Sequence, residues 1–380
     1  MRNSKILLIT SIFPPEIGGP ATFIDKLAIV LSEKGHDVCV ICASPLSPGQ
    51  KELERPFRIR RVTASNRILF YFKLFPVLLV EMARHARILV NGLEYQVYLA
   101  SRITRKEYVL KIVGDTVWET AISQGDTILN IDDFQKDNIT TNPHLLVLKD
   151  RRKKYLSKAT SVITPSNYLA RLVGEWGIDR ERIKIILNGI ELEKFRNDVS
   201  KAHDGSHLNI AFVGRLTSWK GVETILLAIK SVDDVTLHVI GSGPERAMLA
   251  NITSQLDIKD KVMFHGKVSS DKVHELIKTC DALVLVSSYE GLSHTLLEAC
   301  ASGVPCITSD RGGNPEVIID NYNGFVIPYG NPAALAAAIE KLRDISLGNK
   351  LATGARESAS RFDFNNTVKE TIELLLKDER

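Results

Sequence analysis

Short apolar runs alternate with amphipathic stretches from the start of the chain. The segment SKILLIT predicts a buried strand, SIFPPEIGGPAT predicts a loop, and FIDKLAIVLSEKGH has the period of a helix with Phe23, Leu27 and Leu31 on one face. Gly35 is a typical helix stop, and DVCVICA then predicts a second strand. Strand, loop, helix and strand in this order predict a βαβ unit and therefore a parallel sheet.

The same pattern restarts after a polar stretch, Asn197–Ser206, which is the best linker candidate. Six strands are predicted beyond it: HLNIAFVGR, VTLHVIG, KVMFHG, CDALVLVSS, VPCITSD and GFVIP. The sequence therefore predicts an α/β protein with two Rossmann-like, doubly wound parallel-sheet domains, residues 1–196 and 207–359. Because such sheets bind ligands beyond the carboxyl ends of their strands, the default site is a cleft between the two halves.

Composition supports a globular chain of two domains. The chain has 380 residues, 44% of them hydrophobic and 25% charged, which is too long for one ordinary core. Residues 1–195 carry 29 Lys and Arg against 21 Asp and Glu, while the remainder carries 20 against 24. The basic clusters Arg55–Arg61 and Lys149–Lys158 are either solvated surface or a face for an anionic partner such as phosphates or acidic lipid. No aromatic and basic recognition module is evident, so nucleic acid is disfavoured.

The cysteines and apolar segments indicate a cytoplasmic protein. The five cysteines are scattered, and Cys39 and Cys42 form a CxxC inside a predicted strand, where burial is a better interpretation than a zinc or redox site. No small-residue cleavage site follows the N-terminal apolar run, so we expect no signal peptide. The segment Ile68–Ala83 contains Lys73 and Pro76, which disfavours a membrane span and leaves a packed or an interfacial helix.

Glycine-rich turns mark both predicted sheets. Gly18 and Gly19 separate the first strand from its helix, where unpaired N–H groups favour an anion, although a tight turn without a ligand is an equal alternative. Gly241 begins a similar turn, GSGPE, which lacks the third glycine of a dinucleotide fingerprint. A nicotinamide cofactor is therefore not predicted.

Two cations follow the first strand of the second half. GRLTSWKG places Arg215 at the end of that strand and Lys220 five residues later, before a helix. The planar guanidinium of an arginine and the mobile ammonium of a lysine can together bind a diphosphate. The alternative interpretation is that both cations lie in a solvated loop and bind no ligand.

The segment SSYEGLSHTLLEAC places two glutamates after a buried strand. Glu290 lies in the loop that leaves the strand, and Glu298 lies about one turn into the helix that begins near Ser293. Nearly all neighbours of Glu298 are apolar, which favours a functional carboxylate over a surface one. Such a carboxylate can accept hydrogen bonds from sugar hydroxyls, and the N–H groups from Gly291 onward can bind an anion.

The segment YEGLSHTLLEA resembles the E-x7-E motif of retaining glycosyltransferases with the GT-B fold, specifically glycosyltransferase family 4. Further similar segments occur in the same order along most of the chain, among them FVGRLTSWKGVETILLAI, LHVIGSGPE and VITPSNYLARLVGEWGI. The resemblance implies a first half that binds the acceptor and a second half that binds a nucleotide-sugar donor. It also implies that the final helix, within residues 360–380, returns to the first half.

The resemblance implies a role for each matched residue. Arg215 and Lys220 would hold the donor diphosphate, Glu290 the transferred sugar and Glu298 the ribose. The backbone amides of Gly291, Leu292 and Ser293 would cap the phosphate and sugar, and Gly241, Gly18 and Gly19 would also belong to the donor site, with Gly19 closing over the diphosphate. No metal or other cofactor is expected, and no Asp-x-Asp triplet occurs in the chain.

One segment departs from the family pattern. Where many relatives carry a histidine near the acceptor, YVLKIVGDTVWE has Gly114 and Asp115. Asp115 is the candidate for orienting the acceptor hydroxyl or the donor sugar, without the status of a general base.

The sequence thus predicts a retaining, metal-independent hexosyltransferase that acts on a glycan, a polysaccharide or a lipid-linked acceptor. Peripheral contact with an anionic membrane is an additional possibility. Two alternatives remain: a binding protein that holds a nucleotide sugar without turnover, and a sugar-nucleotide epimerase on the same scaffold.

Overall fold

The structure of the protein is a computed structural model that describes residues 4–16, 18–43, 55–136, 142–195 and 205–377. Most of the predicted linker, residues 197–204, lies outside the described residues.

The first half contains a seven-stranded sheet in the order β3-β2-β1-β4-β5-β6-β7, and its ladders are parallel. Its strands are β1 Lys5–Thr10, β2 Asp37–Cys42, β3 Arg58–Arg61, β4 Arg87–Asn91, β5 Tyr108–Lys111, β6 Ala159–Thr164 and β7 Ile183–Ile185. The helices between them are α1 Gly19–Glu33, α2 Arg67–Arg84, α3 Glu94–Thr104, α4 Thr116–Gln124, α5 Ile131–Phe134, α6 Pro143–Ser157 and α7 Asn167–Glu175.

The second half contains a six-stranded parallel sheet in the order β10-β9-β8-β11-β12-β13. All six strands predicted for this half are present: β8 Leu208–Val213, β9 Val235–Ile240, β10 Val262–Gly266, β11 Ala282–Leu285, β12 Cys306–Ser309 and β13 Gly324–Ile327. The helices are α8 Val222–Lys230, α9 Arg246–Gln255, α10 Ser270–Lys278, α11 His294–Ala301, α12 Pro332–Lys341 and α13 Ile345–Ala359. The prediction of two parallel-sheet α/β domains is confirmed.

The last helix, α14 Phe364–Leu376, returns to the first sheet. Its Val368, Ile372 and Leu375 are buried in one cluster with Ile6 and Leu8 of β1. The amphipathic pattern of the C-terminal segment thus serves the core of the first half.

The first sheet is covered on both faces, which explains its continuous apolar strands. In β1, Leu7 and Ile9 belong to one core cluster, while Ile6 and Leu8 belong to the cluster on the other face. The same alternation separates the CxxC pair, because Cys39 lies in the first cluster and Cys42 in the second. The two thiols therefore point to opposite faces of the sheet and cannot bind one metal ion together.

The apolar segment Ile68–Ala83 forms helix α2, which is packed along one face and exposed along another. Leu74 and Leu78 are buried, whereas Ile68 is 72% and Phe72 is 75% exposed. Within the described ranges, no helix is long and apolar enough to cross a membrane.

Candidate active site

A cavity of about 750 Å³ lies between the two halves, at the carboxyl ends of their strands. Eight of the eleven residues that the sequence analysis assigned to the site line it: Gly18, Gly19, Lys220, Glu290, Gly291, Leu292, Ser293 and Glu298. The other three, Arg215, Asp115 and Gly241, are not among its described lining residues.

Lys220 and Glu290 form an ion pair in the wall of the cleft. Lys220 closes the short turn after β8, and Glu290 follows β11. The Lys220 Nζ lies 2.5 Å from Glu290 Oε1, and the Ser287 hydroxyl donates to the same oxygen at 3.0 Å. Both charged side chains are mostly buried, so each needs the other to offset its loss of hydration. At one point, the cleft thus offers a hydrogen-bond donor for phosphate oxygens and a hydrogen-bond acceptor for hydroxyl groups.

The turn that begins helix α11 lies against the first half. A Cβ added to Gly291 would lie 2.3 Å from the carbonyl oxygen of Val113, so only glycine permits this approach. Ser293 is the N-cap residue, and its side chain makes no capping hydrogen bond within the described residues. The N–H groups of the first turn are consequently available to an anionic group in the cleft.

Glu298 lies one turn into α11 and reaches the same cleft. Burial raises the pKa of its carboxyl group, and the nearby Lys194 ammonium acts in the opposite direction. A half-buried carboxylate in this position can accept hydrogen bonds from neutral hydroxyl groups.

Gly19 opens helix α1 on the opposite wall. A Cβ at Gly19 would lie 3.3 Å from His294 Nε2, so the first half approaches α11 closely at this point. Burial, reinforced by the Lys111 charge, lowers the pKa of His294 to about 4. His294 is therefore neutral at physiological pH, which agrees with a scaffolding role.

The Asp115 side chain, whose expected contact with substrate stays a prediction, is hydrogen-bonded within the first half. Its side chain is fully buried, and Oδ1 accepts from the backbone N–H groups of Val117 at 3.0 Å and Trp118 at 3.2 Å. Oδ2 accepts from Arg152 Nη1 at 2.7 Å and from Gln135 Nε2 at 3.0 Å. Asp115 thus caps helix α4 and neutralises a buried arginine, and both of its oxygens are engaged away from the cleft.

Asp115 also helps to join the two halves. Its backbone N–H donates to the Tyr289 hydroxyl at 2.7 Å, and Tyr289 is the residue before Glu290. The Trp118 ring packs edge-on against Tyr289 at 5.3 Å and against Trp219 at 5.6 Å between centroids. These aromatic side chains hold the loop of Glu290 against the loop that follows β5.

Gly241 has a packing role and no contact with the cleft among the described lining residues. Its φ is +136°, and a Cβ there would lie 1.9 Å from the carbonyl oxygen of Gly214. It allows the ends of β8 and β9 to approach, and its contact with the donor stays a prediction. Arg215 is exposed at the end of β8, and its contact with a diphosphate stays a prediction.

Lys111 was missed in the sequence analysis. It ends β5, lines the cleft and is only 3% exposed, and its Nζ has no hydrogen-bond partner among the described residues. The ammonium lies 4.8 Å from the centroid of the Phe23 ring, and burial lowers its pKa to about 8. A buried cation that lacks a partner suits an anionic group of a ligand.

Glu119 on α4 is a second residue that the sequence analysis missed. Burial and the nearby carboxylates of Asp115 and Glu290 raise its pKa to about 7, although the cations Lys220 and Arg215 act in the opposite direction. The carboxyl group therefore changes its charge near neutral pH beside the expected diphosphate position.

The raised pKa of Glu119 predicts that binding of the donor depends on pH. Because its pKa is raised to about 7, the group is neutral below that pH and negative above it. Repulsion of on the order of 1 kcal/mol should weaken binding of an anionic nucleotide sugar about fivefold as the pH rises from 6 to 8. Calorimetric titrations should show this loss in the wild type and a smaller loss in Glu119→Gln, in which Lys111, whose pKa is about 8, still titrates in the cleft. Equal pH profiles for the two proteins would contradict the assignment.

Comparisons with known proteins define the class. The Anabaena protein HepE, solved in complex with UDP and glucose, superposes with a TM-score of 0.76 at 20% identity, covering 98% of this chain and 99% of that one. At this identity the likeness concerns the fold. The two parallel sheets that face a cleft are therefore the GT-B fold, as the sequence predicted.

Sequence comparisons also find glycosyltransferases. Residues 193–359 match the model of "Glycosyl transferases group 1". The N-acetyl-alpha-D-glucosaminyl L-malate synthase of Bacillus anthracis is 26% identical over 378 residues, 90% of each chain. An uncharacterised glycosyltransferase of Methanocaldococcus jannaschii is 30% identical over 239 residues, and the match spans 58% of this chain and 61% of that protein. Residues 193–359 thus match the group 1 glycosyltransferases, and the predicted resemblance to glycosyltransferases is confirmed.

Proposed function

We propose that the protein is a retaining glycosyltransferase that moves a hexose-type sugar from a nucleotide-diphosphate sugar to a hydroxyl of a glycan, polysaccharide or lipid-linked acceptor. The observation that carries this proposal is the Lys220–Glu290 pair in the cleft, next to the N-terminus of α11. A cation that can donate hydrogen bonds to phosphate, a carboxylate that can accept them from hydroxyl groups and uncapped backbone N–H groups meet at one place. A sugar diphosphate requires this combination.

The donor would bind along this wall. An ammonium has three N–H donors, so Lys220 can keep its ion pair with Glu290 while it donates another hydrogen bond to a phosphate oxygen. Glu290 would accept from hydroxyls of the transferred sugar, and Glu298 would accept from the ribose. The amides of Gly291 to Ser293 would cap the diphosphate.

The transfer itself needs no carboxylate base. The acceptor oxygen would attack the anomeric carbon on the face that the phosphate leaves, while the electron pair of the broken bond passes to the phosphate oxygen. The acceptor proton would move to that phosphate, and the configuration at the anomeric carbon would be retained. Lys220 would offset the charge that grows on the leaving group, which is the electrostatic part of catalysis. We propose that this cation, with Arg215, replaces a divalent metal in the transfer.

The cleft also supports an acceptor with an anionic group. Lys111 lies in the first half, the half that would bind the acceptor, and its buried ammonium has no partner among the described residues. The name of the Bacillus anthracis relative includes L-malate, a dicarboxylate. A carboxylate or phosphate group on the acceptor would supply the anionic partner that the Lys111 ammonium lacks among the described residues.

Lys111→Met is therefore expected to raise the KM for the acceptor about 10-fold to 100-fold, since a hydrogen bond to a charged group contributes about 1.5–3 kcal/mol. Nucleotide-sugar affinity should stay unchanged. Lys34→Met, which removes an exposed lysine of the same half, is the matched control. Steady-state kinetics with acceptors separated by anion exchange would measure the effect. Equal use of neutral and anionic fractions by the wild type would contradict an anionic acceptor.

Peripheral association with an anionic membrane is also proposed. Helix α2 exposes Ile68 and Phe72, and the first half carries the excess of basic residues. Apolar anchors combined with basic charge favour an acidic lipid surface. Vesicles with anionic lipid should bind the protein at low salt and release it at high salt, and salt-insensitive binding would argue against this association.

Turnover separates the proposal from its two alternatives. The protein would be incubated with a panel of nucleotide sugars, with and without a mixed acceptor extract, while released nucleotide and the remaining sugar are quantified. The proposal predicts nucleotide release that requires both donor and acceptor. A rise in Tm with one donor and no consumption would indicate a binding protein, and conversion of the sugar without nucleotide release would indicate an epimerase.

A further inference from the structure

Three buried side chains that can bind metal meet beneath helix α2. Cys39 lies on β2, and Glu81 and His85 lie at the C-terminal end of α2; their exposed fractions are 0%, 2% and 1%. None of the three is among the described residues that line the cleft. The mechanism proposed above does not use them.

The fold brings these side chains together from distant parts of the sequence. Glu81 and His85 are four residues apart and share one face at the end of α2. Cys39 lies on the same sheet face as the buried Leu78 and Met82 of that helix. The Cys39 Sγ, a carboxylate oxygen of Glu81 and a ring nitrogen of His85 all lie within 4.8 Å of one another.

Two potential ligand atoms of this cluster make no hydrogen bond within the described residues. His85 Nδ1 lies 2.6 Å from the backbone carbonyl oxygen of Glu81 and 3.7 Å from its carboxylate Oε2. Because a carbonyl oxygen only accepts, Nδ1 carries a proton, and Nε2 is the nitrogen that has a lone pair in the neutral ring. Glu81 Oε1 faces Arg60 Nε at 3.4 Å and Arg84 Nη1 at 3.8 Å. Glu81 Oε2 and His85 Nε2 have no hydrogen-bond partner among the described residues.

We propose that Cys39, Glu81 and His85 form a site for one divalent transition-metal ion, with Zn²⁺ the best match. Thiolate, imidazole and carboxylate are the zinc ligands of proteins, and sulfur disfavours Mg²⁺ and Ca²⁺. The backbone carbonyl that holds His85 and the arginines that hold Glu81 Oε1 have the form of the outer partners that orient metal ligands.

The two anionic ligands match the charge of a divalent ion. A metal ion displaces the thiol proton of Cys39, so each ion bound releases one proton to solvent. The thiolate and the carboxylate together neutralise the two positive charges of the ion, and water fills the fourth position of a tetrahedral site. The ion would tie the last turn of α2 to β2, which is a structural task and separate from the metal-independent transfer proposed for the cleft.

Cobalt binding tests the site directly. Co²⁺ would be titrated into the full chain, freed of any affinity tag and pretreated with a chelator. The site predicts a thiolate-to-cobalt charge-transfer band that saturates near one equivalent, that added Zn²⁺ removes, and that is accompanied by a rise in Tm. Cys39→Ser should abolish the band, whereas Cys42→Ser, its matched control on the other sheet face, should retain it.

Two results would overturn the site. One is the absence of the charge-transfer band in the folded wild type, which depends on no variant. The other is a band of equal intensity in Cys39→Ser. If Cys39→Ser does not fold, His85→Gln replaces it, and the site predicts that Co²⁺ affinity falls at least 10-fold. Unchanged affinity in His85→Gln would show that His85 does not bind the ion and would overturn the three-ligand site.

Discussion

Lys220→Ala is expected to lower turnover about 100-fold to 1000-fold, the usual effect of removing one group that stabilises charge in a transition state. Lys220 is the cation placed in the wall of the cleft beside Glu290, where the leaving diphosphate is proposed to lie. The fold should survive, because Glu290 keeps the hydrogen bond from Ser287 and can regain hydration from the cleft. Steady-state kinetics and thermal unfolding would be measured on the same preparations.

The matched control for this change is Lys230→Ala. Lys230 is exposed at the end of α8 in the same half, so its removal should alter neither turnover nor Tm. If Lys220→Ala also turns over at a near-normal rate, Lys220 does not stabilise the leaving group. If Lys220→Ala only raises the KM for the acceptor, Lys220 contacts the acceptor and not the diphosphate.

Asp115→Ala is expected to destabilise the protein by about 3–5 kcal/mol, the typical cost of breaking a buried ion pair from one side. The change leaves the buried Arg152 guanidinium without its carboxylate and removes the cap of α4. Urea denaturation would measure the free energy of unfolding. Asp150→Ala is the control, since Asp150 pairs with Lys154 on the surface and its loss should cost less than about 1 kcal/mol.

A double-mutant cycle separates the scaffold role of Asp115 from direct contact with substrate. When Arg152→Met accompanies Asp115→Ala, no buried charge is left unpaired, so the double variant should lose less stability than the sum of the single variants. Additive losses would contradict the pair. If Asp115→Ala instead keeps its stability and loses turnover per folded molecule, Asp115 acts on substrate after all.

The fold could be predicted from local patterns. The apolar run of β1 and the six strands of the second half are short, continuous and bounded by turn residues, and each is present in the structure. The segment from Tyr289 to Ala299 also carries local signals, because a strand end, a glycine and a helix start fix where Glu290 and Glu298 lie. The structure places both of these glutamates in the cleft.

The remaining features depend on contacts between distant segments. Asp115 occupies the position expected of a residue near the acceptor, but a helix cap and a pair with Arg152, 37 residues away, turn its carboxylate from the cleft. Lys111 ends an apolar strand as a solvated lysine could, and only tertiary packing, which includes Phe23 of α1, buries it. The meeting of Cys39 with Glu81 and His85 requires α2 to lie on β2, which no short motif indicates.

The configuration of the product at the anomeric carbon tests the central proposal most directly. After a donor and acceptor pair has been found, the coupling constant of the anomeric proton would be recorded by NMR in the product and in the donor sugar, before any spontaneous equilibration. A front-face transfer predicts that an α-linked donor gives an α-linked product. A β-linked product would contradict the retaining mechanism and would require a general base, a role for which the Asp115 carboxylate is not available.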